Sequence, residues 1–142
     1  MARDCGAWVS ILSHKVKKRL NATLADLGIT GVQSRVMHFI LEQYKQGPVF
    51  QRDVETAFLF SRSTATGILQ LLEKKGVIKR ESVESDARLK SLVPTEIAAE
   101  NAARIHQSIA EIEKIMTKDI TPGQIQLFLE LASKMSDNLD SK

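Results

Sequence analysis

Apolar residues recur at three- and four-residue steps through most of this chain, and the places where that rhythm fails mark its turns and strands. Over residues 7–27, Val9, Leu12, Val16, Leu20, Leu24 and Leu27 form a single stripe, which predicts an amphipathic helix. Lys15, Lys17, Lys18 and Arg19 fall mostly off it. Gly28 suits the left-handed position that ends a helix. Thr30 and Gln33 have the spacing of a capping box, opening a second helix that reaches about Lys45. Its expected buried face is Val32, Val36, Phe39 and Ile40. Gly47-Pro48 breaks it, and Val49-Phe50 is long enough only for a stub of strand beside a later hairpin. A short third helix follows, from about Arg52 to Phe58, with Val54, Ala57 and Phe58 inward.

The fourth helix has two distinct faces. Ala65, Ile68, Leu69 and Leu72 share one side and are expected to enter the core. The other side carries Arg62, Ser63, Thr66, Gly67, Gln70 and Lys74, and Ser61 or Ser63 serves as the N-cap. After Gly76 the period changes. Val77 to Glu81 and Leu89 to Val93 read as two short strands joined by a polar tip, Ser82 to Arg88. Helix, turn, helix, hairpin is the order of a winged helix-turn-helix.

Beyond Thr95 the pattern narrows to a heptad-like seam: Ala98, Ala102, Ile105, Ile109, Ile112 and Met116, then Ile125, Phe128, Ala132, Met135 and Leu139. Thr121, Pro122 and Gln124 start the second of these helices as N-cap, first helical residue and capping partner. Neither helix can bury its stripe alone. The stripes can pack within one chain or against a second copy. The expected fold is mainly α with a small β-hairpin wing, a single domain over 1–142, with the winged helix-turn-helix at 29–95 between helical regions at 1–28 and 96–142.

Composition adds direction. Residues 1–95 hold 15 basic against 9 acidic side chains, a net of +6, whereas residues 96–142 hold 5 against 8, a net of −3. A basic excess on the winged part is the footprint of a nucleic-acid surface, although a solvated mixed surface also accounts for it. The single cysteine, Cys5, excludes an intrachain disulfide and fits a reducing compartment. The sequence shows neither an apolar run long enough for a membrane span nor the apolar core of a signal peptide, so a cytoplasmic protein is expected. His14, His38 and His106 are far apart and lack companions at metal-ligand spacing. The sequence shows no nucleophile motif, phosphate-cradling glycine loop or catalytic carboxylate pair, so neither an enzyme nor a cofactor is expected.

The fourth helix and the hairpin therefore carry the functional reading. Short side chains near a helix start allow close approach to a DNA groove, while Arg62 and Gln70 can pair with base edges. Ser61 and Thr64 would position the helix start. Arg88 suits a narrow, electronegative minor groove, and Lys90 can neutralise a neighbouring phosphate. A carboxylate beside DNA is repelled, so Asp86 is expected to orient Arg88.

The segment from Ser61 to Glu81, followed by Ser85 to Thr95, resembles the multiple-antibiotic-resistance regulator (MarR) family. The matching positions are Ser61, Arg62 and Thr64 at the helix start, Leu72, Glu73, Gly76, Val77 and Ile78 at its end, and Asp86, Arg88 and Thr95 in the wing. Gly28 to Gln33 is also similar to the family's entry to the second helix. Pro94 stands where an apolar residue is usual, and Ala98 where glycine is common. The resemblance implies a bacterial transcriptional regulator, a repressor working as a homodimer on a pseudo-palindromic operator in double-stranded DNA. It also implies a dimer built from the terminal helices. A small aromatic or anionic effector is a further implied partner, for which Trp8, His14, Arg35 and His38 are the candidate lining. Some relatives sense peroxides through a first-helix cysteine, which makes Cys5, just ahead of that helix, a candidate redox group. The competing reading is a winged-helix protein-interaction module with no DNA target.

Overall fold

A computed structural model describes residues 3–141, and among them are six α-helices and one two-stranded sheet. The helices are α1 (Cys5–Leu27), α2 (Gly31–Tyr44), α3 (Gln51–Phe58), α4 (Arg62–Lys74), α5 (Glu96–Met116) and α6 (Pro122–Asp140), with β1 (Ile78–Val83) and β2 (Asp86–Pro94) between α4 and α5. The expected mainly helical fold with a hairpin wing is the observed one. The chain forms two compact units, one running to Ser108 and the other starting at Ile109.

Local chemistry accounts for most boundaries. Thr30 and Gln33 form the expected reciprocal capping box, as do Thr121 and Gln124. Gly28 ends α1 with φ 71, in the left-handed region that glycine occupies without steric cost. Asp4 caps α1, its carboxylate accepting the Ala7 N–H at 2.7 Å, so Cys5 is the first residue of the helix and not a residue ahead of it. Leu59, between α3 and α4, also sits in the left-handed region with φ 57 and is 92% exposed.

The core of the first unit lies between α2, α3, α4 and the base of the hairpin. Val36, Met37, Ile40, Val54, Leu69, Leu72, Ile78 and Leu92 are buried, joined by Leu24 of α1 and Ala98 of α5. Several expected inward residues are not covered. Val32 and Ala57 are exposed, and Phe39 and Phe58 are half-buried, meeting edge to face at 5.6 Å. Met37 and Gln33 are buried instead. The α1 stripe divides: Leu24 is buried and Leu20 and Leu27 pack on the core, whereas Val9 and Leu12 are exposed. Val49 forms no third strand, but its carbonyl accepts the Leu92 N–H at 2.6 Å, tying the segment before α3 to the hairpin.

The hairpin is longer than its apolar residues suggest. Ile78 pairs with Pro94 and the ladder continues to Ser82 opposite Lys90, with a register shift before Val83 and Asp86. The seven-residue tip expected at Ser82 to Arg88 shrinks to a turn at Glu84-Ser85. Strands that project into solvent are held by their backbone ladder and need no apolar alternation, which is why their outer part reads as loop.

Candidate nucleic-acid interface

The candidate interface starts at Ser61. Its backbone is extended, and its hydroxyl accepts the Thr64 N–H at 3.2 Å while donating to Thr64 Oγ1 at 2.9 Å. Ser63 Oγ lies 3.3 Å away from it. A small hydroxyl cluster thus closes the start of α4 and leaves the Arg62 side chain exposed. Ala65, Leu69 and Leu72 are buried and Ile68 half-buried, which turns the opposite face outward. On that face Arg62, Ser63, Gly67, Gln70 and Lys74 are exposed and Thr66 is half-buried. An added Cβ at Gly67 would meet nothing within 4 Å, so packing inside the protein does not require a glycine there.

Contacts that the sequence did not disclose fix the end of α4 and the base of the hairpin. Arg80 Nε of β1 donates to Glu73 Oε2 of α4 at 3.0 Å. Thr95 Oγ1 donates to the carbonyls of Gly76 and Val77 at 2.5 and 3.1 Å, closing the base of the hairpin. Gly76 has φ 75, and a Cβ there would meet Ile97 Cδ1 at 3.3 Å, so this turn requires glycine. Lys75 Nζ donates to the Gly28 carbonyl and, at 2.8 Å, to Gln33 Oε1, joining the end of α4 to the α1–α2 corner.

In the wing, Asp86 Oδ1 accepts the Arg88 N–H at 2.9 Å and stands 3.6 Å from Arg88 Nε. The Arg88 side chain is 95% exposed, so this ion pair adds little stability. Lys90 reaches across the ladder to donate to Ser82 Oγ at 2.6 Å. On β1, Lys79 lies 2.9 Å from Glu81, whose carboxylate raises the lysine pKa by hydrogen bonding and by charge.

The remaining candidates are dispersed. Trp8 and His14 lie on α1 and Arg35 and His38 on α2, all four exposed. The depression at His14 is bordered by Gly6, Val9, Ser10, Ser13 and Lys17, none of them from α2. Cys5 is exposed, and the Arg3 guanidinium stands over the Trp8 ring, 5.5 Å from its centre. Among the described residues no group of three or more His, Cys, Asp or Glu is placed to hold a metal ion, and no helix is long and apolar enough to cross a membrane.

Residues 27–89, spanning the helix-turn-helix and the wing through Arg88, match the MarR family model. Among solved structures, this chain is similar to MepR of S. aureus in its DNA complex, at 21% identity and a TM-score of 0.80, covering 92% of this chain and 96% of that one. It is also similar to a protein of Clostridium acetobutylicum assigned to the MarR family of transcriptional regulators, at 25% identity and a TM-score of 0.78, over 94% and 96% of the two chains. The transcription regulator MarR of Oenococcus oeni is 26% identical with a TM-score of 0.59, over 94% and 99%. No curated protein matches the chain in sequence.

Proposed function

We propose that this chain is a DNA-binding transcriptional regulator of the MarR family that acts as a homodimeric repressor on a pseudo-palindromic operator. One observation carries the reading: a well-packed α4 presents Arg62, Ser63, Gly67 and Gln70 outward, and the adjoining wing presents Arg88 on a backbone held by Asp86. In this reading α4 enters the major groove, Arg62 and Gln70 meet base edges, and Ser61 and Thr64 hold the helix start. Ser63, Thr66 and Gly67 form the close-approach surface, Lys74 and Lys90 serve phosphates, and Arg88 enters the minor groove. The DNA complex of the similar MepR supports the same use of the fold.

The second unit supports a dimer. α6 has no buried residue, while Leu127, Phe128, Leu129, Leu131 and Met135 are 42–56% exposed. An apolar surface of that extent marks an interface. A two-fold pair would set two copies of α4 about one DNA turn, roughly 34 Å, apart. Control then acts by population shift, an effector or oxidation favouring a dimer whose helices miss the half-sites.

Selection of duplexes from a random pool by the purified chain tests the reading, and binding should fall steeply as salt rises. A chain that enriches no duplex at low salt belongs to the competing class of protein-interaction modules. Given an enriched site, Arg88→Ala should weaken binding across sequences and lower the salt slope by about one. Gln70→Ala or Arg62→Ala should cost about 1–3 kcal/mol and relax preference at one base pair per half-site. Gly67→Ala separates folding from function. Relieved of glycine's backbone entropy, α4 should gain roughly 0.5–1 kcal/mol in thermal melts, while the added methyl weakens operator binding.

A further inference from the structure

Gln51, the first residue of α3, reaches across to α4. Its Nε2 donates to Thr66 Oγ1 at 2.9 Å and lies 3.4 Å from the Arg62 carbonyl. The carbonyl settles which way the amide points, because Oε1 in that place would face another oxygen. Thr66 is therefore the acceptor in its bond with Gln51. Threonines inside helices commonly donate to the carbonyl four residues back, here that of Arg62. In this protein Gln51 Nε2 stands against that carbonyl, and among the described residues no acceptor for the Thr66 proton is found.

We infer that Gln51 is a positioning residue that makes Thr66 an outward hydrogen-bond donor, so that this point of α4 demands an acceptor on the DNA. The acceptor is a base-edge oxygen or ring nitrogen or a phosphate oxygen, all of which present lone pairs to a hydroxyl. The inference rests on the DNA-binding reading above and deepens it. Without Gln51, the Thr66 hydroxyl turns to the Arg62 carbonyl and shows lone pairs outward. The same threonine then prefers a donor, such as a cytosine or adenine amino group. A residue that never touches DNA would thus set the polarity of one reading position.

The test is duplex selection and affinity measurement with wild type, Gln51→Ala, Gln51→Glu, Thr66→Val, Thr66→Ser and the Gln51→Ala/Thr66→Val pair, each checked by thermal melt. Gln51→Glu retains a side chain suited to a helix N-terminus and guards against a folding artefact. Thr66→Val should weaken binding to the selected site roughly three- to tenfold, the loss of one hydrogen bond, whereas Thr66→Ser should bind within about twofold of wild type. The double variant should bind no more weakly than Thr66→Val alone. If the acceptor is a base, Gln51→Ala and Gln51→Glu should both move the preferred base at one position per half-site toward one bearing an amino group. If it is a phosphate, both should bind all duplexes more weakly with an unchanged base profile. A wild-type chain that selects a site while the Gln51 and Thr66 effects simply add overturns this inference and spares the regulator reading. A wild-type chain that selects nothing overturns both.

Discussion

Replacing Leu69 by alanine should lower the stability of the protein by about 2–5 kcal/mol. Leu69 is fully buried, as are its neighbours on the same face, Ala65 and Leu72. Removing its branched end forfeits dispersion contacts within the core cluster and leaves a cavity that a close-packed core only partly refills. For a domain of this size that corresponds to a fall in Tm of roughly 6–15 °C. The adjacent residue is the control. Gln70 is exposed, so Gln70→Ala should leave stability within about 0.5 kcal/mol while changing base preference. Urea melts of the two variants beside duplex selection make the comparison. Equal stability losses at Leu69 and Gln70 would contradict the division of α4 into a packing face and a reading face.

A charge placed on α6 should have the second large effect, on assembly. Phe128 is 56% exposed and Leu131 45% exposed, so neither is part of the buried core of a single chain. Phe128→Lys/Leu131→Lys should therefore leave thermal unfolding at low concentration nearly unchanged. Across a two-fold interface, however, each substitution appears twice, and its ammonium would lose water without gaining a partner. Sedimentation should show wild type at twice the mass of one 15.8 kDa chain and the variant at that mass itself. Operator affinity should fall at least a hundredfold, since a monomer engages one half-site and forgoes the effective concentration that tethers the second. A wild-type chain that stays monomeric at micromolar concentration and still selects a two-part site would refute the dimer.

Local physics made much of the architecture legible in advance. Capping boxes at Thr30–Gln33 and Thr121–Gln124, the cap at Ser61 and the left-handed glycine at Gly28 involve residues three or four apart, so adjacent sequence specifies them. The buried face of α4 and the presence of a hairpin after Gly76 were readable for the same reason. Coverage was another matter. Periodicity says which residues share a face, and only the neighbouring element decides whether that face is buried. This is why Val9 and Leu12 are exposed while Leu24, on the same stripe, is buried, and why Val32 lies outside while Met37 lies within. The hairpin's true length depended on cross-strand pairing between Ser82 and Lys90, polar residues that carry no strand signal alone. The reach of Lys75 to Gly28 and Gln33, the brace from Arg80 to Glu73 and the bond from Gln51 to Thr66 join residues 7 to 47 positions apart. Local sequence specified the helices, their caps and the polar face of α4. Tertiary structure alone decided which hydroxyls on that face are already engaged, because that depends on side chains brought together only when α3 packs on α4.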